Sequence, residues 1–303
     1  MKTGFLSPTQ RWLAFGTWAL LSFVIFAKPI YAVIQLAHRD DTYSHILLIP
    51  FISAYLLYLQ RKEPQPELRF SVQAALMFFL ASLLGVFASS KCASCSPNYH
   101  LAIYIFALIL LVVAGFVLTL GAAKAKASSF ALAFLLFAVP IPDIVSSKVI
   151  YGLQAGSAEV AEVFFNLSGA PVLRKGFVFH LPKVSIEVAP ECSGIRSSLA
   201  LLILAVLVAQ YSFRPLWKKL VFVLAGLCMM LVKNGIRIAT LTLLANYVDE
   251  DFLYGKLHHR GGVVFFLIGL ALLLPVYWYL RKGEQVSVGF TAPEIAANSS
   301  QRA

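Results

Sequence analysis

Runs of about 20 apolar residues recur from one end of this 303-residue chain to the other. As a helix, each run covers roughly 30 Å of hydrocarbon. No soluble core absorbs so many of them. Charged residues make up 13% of the chain and hydrophobic ones 59%, about half the charge of an ordinary soluble domain. With a mean hydropathy of +0.80, the pattern predicts an all-α membrane protein, a polytopic bundle of about eight transmembrane helices.

The predicted spans are about 12–36, 45–60, 72–90, 100–121, 128–142, 193–211, 216–245 and 261–280, the second and fifth being short. The first is too long for a cleaved signal peptide and no small-x-small cleavage site follows it. Lys28-Pro29 inside it predicts a kink. Residues 1–282 read as one polytopic domain without internal repeats, and 283–303 as a small, polar, disordered cytoplasmic tail.

The formal charge of +11 does not point to nucleic acid, because no basic run is interleaved with aromatics. Arg61, Lys62 and Arg69 follow the second span, Lys124 and Lys126 the fourth, Arg214, Lys218 and Lys219 the sixth, and Arg281 and Lys282 the eighth. All fall on one side together with Lys2 and Arg11, which predicts cytoplasmic termini. The opposite side collects ten of the fourteen acidic residues, from Asp40 and Asp41 to Asp249, Glu250 and Asp251, and all six histidines. Chemistry is therefore expected on the non-cytoplasmic face.

Between the fifth and sixth spans, residues 143–191 are too polar to cross. Val149, Leu153, Val160, Val163 and Phe164 approximate one apolar face, which predicts an outer amphipathic helix over about 144–167. Val172–Phe179 and Val184–Val188 then read as a small β-hairpin feeding Cys192. Four cysteines make no disulfide framework. Cys92 and Cys95 form a Cys-x-x-Cys open to a redox, local-disulfide or inert reading, and Cys228 reads as packing.

Cys192 lies in Pro190-Glu191-Cys192-Ser193-Gly194-Ile195-Arg196, at the start of a long apolar run. Unpaired N–H groups and the positive dipole at a helix start favour a thiolate there; a small residue beside a helix cap is the bland reading. Arg196 is one turn further. Lys233 and Arg237, four apart, share a face of the seventh span, with Asn234 adjoining. Arg237 lies about 21 residues, roughly 30 Å, beyond the basic start near Leu216, at the outer hydrocarbon boundary. Intramembrane basic groups cost at least about 2.5–3.5 kcal/mol and are usually paired or functional; an interfacial anchor is the alternative. His258 and His259 open the eighth span from the same side, where an imidazole suits proton transfer near neutral pH. A thiol, a guanidinium and an imidazole thus converge on one level.

These pieces resemble the exosortase/archaeosortase family of membrane-embedded cysteine transpeptidases. The matching elements are Asp41-Thr42-Tyr43-Ser44-His45, Phe137-Ala138-Val139-Pro140-Ile141-Pro142, Val188 to Arg196, Asn234-Gly235-Ile236-Arg237, and His258 four before Gly262. The resemblance spans about 40–275 and implies a catalytic set of Cys192, Arg237 and His258, with His259 the adjacent alternative. Arg196, Asn234, Lys233, Tyr43 and His45 become supporting or substrate-binding candidates, and no cofactor is implied. The implied substrates are exported, membrane-anchored proteins with a C-terminal Pro-Glu-Pro sorting signal, transferred to an unknown acceptor across the outer face of a bacterial inner membrane. Arg196, Lys233 or Arg174 are candidates to pair with the signal's glutamate. A transporter or channel for an anionic solute, using Lys28, Lys233 and Arg237, is the alternative from another class. A metal site from His38, His45 and His258 is a third, without any His-Glu-x-x-His spacing.

Overall fold

The computed structural model describes residues 7–62, 71–254 and 262–282. His258, His259 and the tail beyond 282 lie outside the described residues. Six helical segments are long and apolar enough to cross a membrane, and two sharply bent helix pairs raise the number of candidate spans to eight. The polytopic helical bundle expected from the apolar runs is what the chain forms.

The first expected span is two helices. Ser7 opens α1 (Pro8–Ile25) with a reciprocal capping box to Gln10, and α2 (Ala27–Arg39) leaves it at 73°. The break falls at Phe26, before the expected kink at Lys28-Pro29. Pro29 sits in the first turn of α2, where its missing N–H breaks no helical bond. Asp40 then caps a 3-10 turn, Asp41–Leu47, that runs into α3 (Ile49–Leu59).

Helices α4 (Val72–Lys91) and α5 (Pro97–Leu120) form a hairpin closed by a Cys92–Cys95 disulfide. Ala75, Ser82 and Ser89 lie seven residues apart along the buried stripe of α4, where small residues let membrane helices approach closely. Ser82 Oγ donates to the Ala107 carbonyl at 2.8 Å. Cys228 is exposed rather than packed.

The fifth expected span is also subdivided. Gly121, at φ 89°, precedes α6 (Ala122–Ala127); α7 (Ser129–Phe134) follows and tightens into a 3-10 turn over Leu135–Ala138. Pro140 and Pro142 end that run, and the chain bends 89° into α8 (Asp143–Leu167). The helix expected over 144–167 is present, but the expected apolar face is not the buried one. Val149 and Val163 are exposed, while Gln154, Ser157, Ala158, Ala161 and Phe165 are buried, because this small-residue face admits the long helix Leu216–Tyr247 alongside.

The expected hairpin is a three-stranded antiparallel sheet of β1 (Leu173–Lys175), β2 (Val178–His180) and β3 (Ser185–Glu187), ordered β1-β2-β3. Gly176, at φ 62°, turns the chain inside what the sequence reads as one strand. A 3-10 turn, Pro190–Ser193, leads to α9 (Ile195–Ser212). Then come α10 (Leu216–Tyr247), α11 (Asp251–Tyr254) and α12 (Gly262–Arg281).

At 32 residues, α10 is about 48 Å long, well beyond the roughly 30 Å of hydrocarbon. The surplus is used. Ile238, Ala239 and Ala245 pack with Phe165 of α8 and with Phe179, Leu181, Val184 and Val188 of the sheet segment, forming a second core at the Cys192 end. Helix α8 runs in step with α10: a Cβ on Gly156 would meet Leu231 at 2.9 Å, and one on Gly235 would meet Val160 at 2.4 Å. A Cβ on Gly152, by contrast, would meet nothing within 4 Å. Gly235→Ala is therefore expected to lower stability by about 1–3 kcal/mol through overpacking, whereas Gly152→Ala is neutral or stabilising. Thermal unfolding of the two variants in detergent checks this.

Candidate active site

Cys192 sits in the 3-10 turn, and its N–H donates to the Ala189 carbonyl at 2.8 Å. Gly194 separates it from α9 as a left-handed N-cap, φ 70°, that has no side chain to cap the helix. The sulfur therefore precedes the helix start by a turn of irregular chain. Only glycine fits at 194: its φ is left-handed, and a Cβ there would lie 2.6 Å from Asn234 Oδ1.

Asn234 holds this turn. Its Nδ2 donates to the carbonyls of Cys192 (3.0 Å) and Ser193 (3.2 Å) and to Ser157 Oγ on α8 (2.9 Å). A primary amide has two N–H bonds, so three acceptors share them. The side chain is 1% exposed, where each unmet carbonyl would carry its full desolvation cost. Gln154 of α8 adds a bond from Nε2 to the Val188 carbonyl at 2.8 Å.

Lys233 braces the other side of the turn. Its ammonium donates to Ser197 Oγ, and that hydroxyl donates to the Gly194 carbonyl at 3.1 Å. The lysine stem passes Gly269 of α12, where a Cβ would lie 3.2 Å from Cδ. Arg237, one turn along α10, is half-buried and interacts electrostatically with Cys192. Arg237 follows Asn234, whose amide bonds the Cys192 carbonyl, by three positions on the same helix.

The other candidates do other things. Arg196 is exposed and pairs with Asp41, tying α9 to the 41–47 turn; a pair this open contributes little stability. Tyr43 is buried, with its hydroxyl 3.3 Å from the Ile141 carbonyl. His45 Nδ1 lies 3.0 Å from the Thr42 carbonyl. Both residues lock the 41–47 turn, Tyr43 doing so against the Pro140-Ile141-Pro142 segment. Arg174 lies across α8 with Glu159 at 2.7 Å and Glu162 beside it. Glu159 first, then Glu162, holds its guanidinium above the ordinary range despite some desolvation.

Lys28 lines a groove of about 790 Å³ with Arg39 and His100 between α2, α4 and α5. Neither Lys233 nor Arg237 lines that groove. Among the described residues, no three His, Cys, Asp or Glu side chains converge as a metal site. Ser157, Gln154, Ser197 and Gly194 were not singled out from sequence. Gly194, inside the Cys-Ser-Gly-Ile-Arg element, gave the one available signal.

The fold defines a polytopic helical membrane protein, with Cys192 in the turn before α9 and Arg237 ten residues short of the end of the overlong α10. The Transmembrane exosortase family matches residues 37–275 of the chain, and the protein belongs to that family. Its members are membrane transpeptidases of protein sorting. Comparison with curated proteins and with solved structures finds no match.

Replacing Asn234 with Asp keeps the shape but turns an oxygen toward two carbonyls. Hydrogen exchange of the backbone over 188–194 is expected to rise about tenfold or more, the equivalent of one lost buried hydrogen bond. Unchanged exchange would refute the clamp.

Proposed function

We propose that the chain is a cysteine transpeptidase of the bacterial inner membrane, acting at the periplasmic face with both termini in the cytoplasm. It cleaves the C-terminal Pro-Glu-Pro-type sorting signal of exported, membrane-anchored proteins. Cys192 Sγ adds to the scissile carbonyl carbon, the C–N bond breaks, and the amine leaves with a proton. The acyl group stays on sulfur as a thioester until an acceptor nucleophile takes it and the thiol is restored. Arg237 stabilises the anionic sulfur and the oxyanion of each tetrahedral intermediate. His258 carries the proton to the leaving amine and from the acceptor; His259 is its neighbour and the alternative carrier.

The observation that carries this reading is the Cys192 turn held by buried hydrogen bonds from Asn234, with Arg237 three residues further along the same helix. Basic connections concentrated at the opposite end support the orientation.

Purified protein incubated with a Pro-Glu-Pro peptide bearing an electrophile at the scissile position is expected to form a covalent adduct at Cys192, located by mass spectrometry. Cys192→Ala is expected to abolish both adduct and cleavage, and cleavage by that variant would sink the proposal. Arg237→Met is expected to lower kcat about 10²–10³-fold, as for the loss of one oxyanion donor, and Arg237→Lys to recover part of it.

A further inference from the structure

Among the described residues, the sheet that precedes Cys192 has an edge, that of β3, to which no strand is paired. In the β2–β3 ladder Val178 faces Glu187, Phe179 faces Ile186 and His180 faces Ser185. Val188 N–H bonds the Phe177 carbonyl at 2.9 Å, and Leu181 N–H bonds the Val184 carbonyl at 2.9 Å. Antiparallel ladders alternate, so residues 184, 186 and 188 turn their main-chain groups toward β2. Ser185 and Glu187 turn theirs away, and both are exposed. The Glu187 carbonyl accepts from Ala189 N–H at 2.9 Å. Among the described residues, the N–H groups of Ser185 and Glu187 and the Ser185 carbonyl meet no backbone partner.

We propose that the β3 edge is the docking strand for the substrate, taking up an extended peptide by strand addition and delivering its scissile bond to Cys192. The inference rests on the transpeptidase reading and adds how that site holds its substrate. Cys192 lies five positions after Glu187, at most about 16 Å of extended chain, so a docked peptide of four or five residues reaches the sulfur. An open edge with unmet donors and an acceptor is a template for an extended chain. The edge of β1 is a poorer candidate, because it lies two ladder spacings further away, about 9.5 Å. The charged alternatives are already engaged: Arg196 with Asp41, Arg174 with Glu159 and Glu162, Lys233 with Ser197. Substrate and β3 run in the same sense, both heading toward the membrane. The mode needs donors from alternate substrate residues only, so it tolerates proline at every second position.

The full-length protein in nanodiscs, assayed for cleavage of a Pro-Glu-Pro peptide substrate, tests this. Glu187→Pro removes one outward N–H and leaves the bonds to β2 intact. It is expected to raise KM about tenfold with kcat within about twofold of wild type, while Glu187→Ala, which keeps the N–H, leaves both unchanged. N-methylation along the substrate is expected to lower kcat/KM about tenfold at alternate residues only. An equal effect of Glu187→Ala and Glu187→Pro, or N-methyl effects without alternation, would overturn strand docking alone. Wild-type protein that fails to cleave would remove the transpeptidase reading and strand docking with it.

Discussion

One buried amide governs the arrangement. The chain from Pro190 to Gly194 is irregular where it enters the bundle, and irregular backbone beside hydrocarbon survives only if its polar groups are met internally. Asn234 meets the Cys192 and Ser193 carbonyls and is itself fixed to α8 through Ser157. The turn thus keeps its 3-10 shape, and Cys192 stays outside α9, which begins at Ile195. Gly194 follows from the same contact, since its left-handed backbone approaches the amide too closely for any side chain. Lys233 and Ser197 close the network from the opposite side.

The length of α10 is the second constraint. A helix of ordinary span would end near the hydrocarbon boundary and leave Arg237 in its fraying last turns. Here ten further residues continue to Tyr247 and are packed by α8 and the sheet. The guanidinium therefore sits mid-helix, where its backbone is rigid. Asn246 Oδ1 accepts from Lys183 N–H at 3.0 Å, so the tip of α10 also fixes the β2–β3 turn. One helix thereby positions Asn234, Arg237 and the strand that runs into Cys192.

The membrane spans, and Lys233, Asn234 and Arg237 within one of them, were legible in the sequence for the same reason: apolar runs mark the spans, and polar groups inside them are expensive and stand out. The elbow at Phe26 was not, because apolar composition continues through it and only the amphipathic character of α2 distinguishes the second segment. Gly176 shows how a strand boundary escapes detection: β1 and β2 are each three residues long, too short for alternation to separate them. Ser157 and Gln154 escaped because small polar residues on an amphipathic helix are ordinary. Their role depends on which part of α10 and of the Cys192 turn they meet, and that is set by close packing at Gly156 and Gly235.

The same packing divides labour among the cations. Arg174 bridges the sheet to α8, Arg196 ties α9 to the 41–47 turn, and Lys233 supports the Gly194 carbonyl through Ser197. Arg237 is the cation three residues beyond Asn234, whose amide holds the Cys192 carbonyl. A guanidinium suits that position, because it stays protonated under conditions where a buried ammonium gives up its proton. Exchanging the two residues would put a deprotonatable group beside the sulfur and a rigid fork where a single donor meets one hydroxyl. The four-residue spacing of Lys233 and Arg237 on α10 therefore gives one cation to holding the loop and, in the proposed reaction, the other to the sulfur.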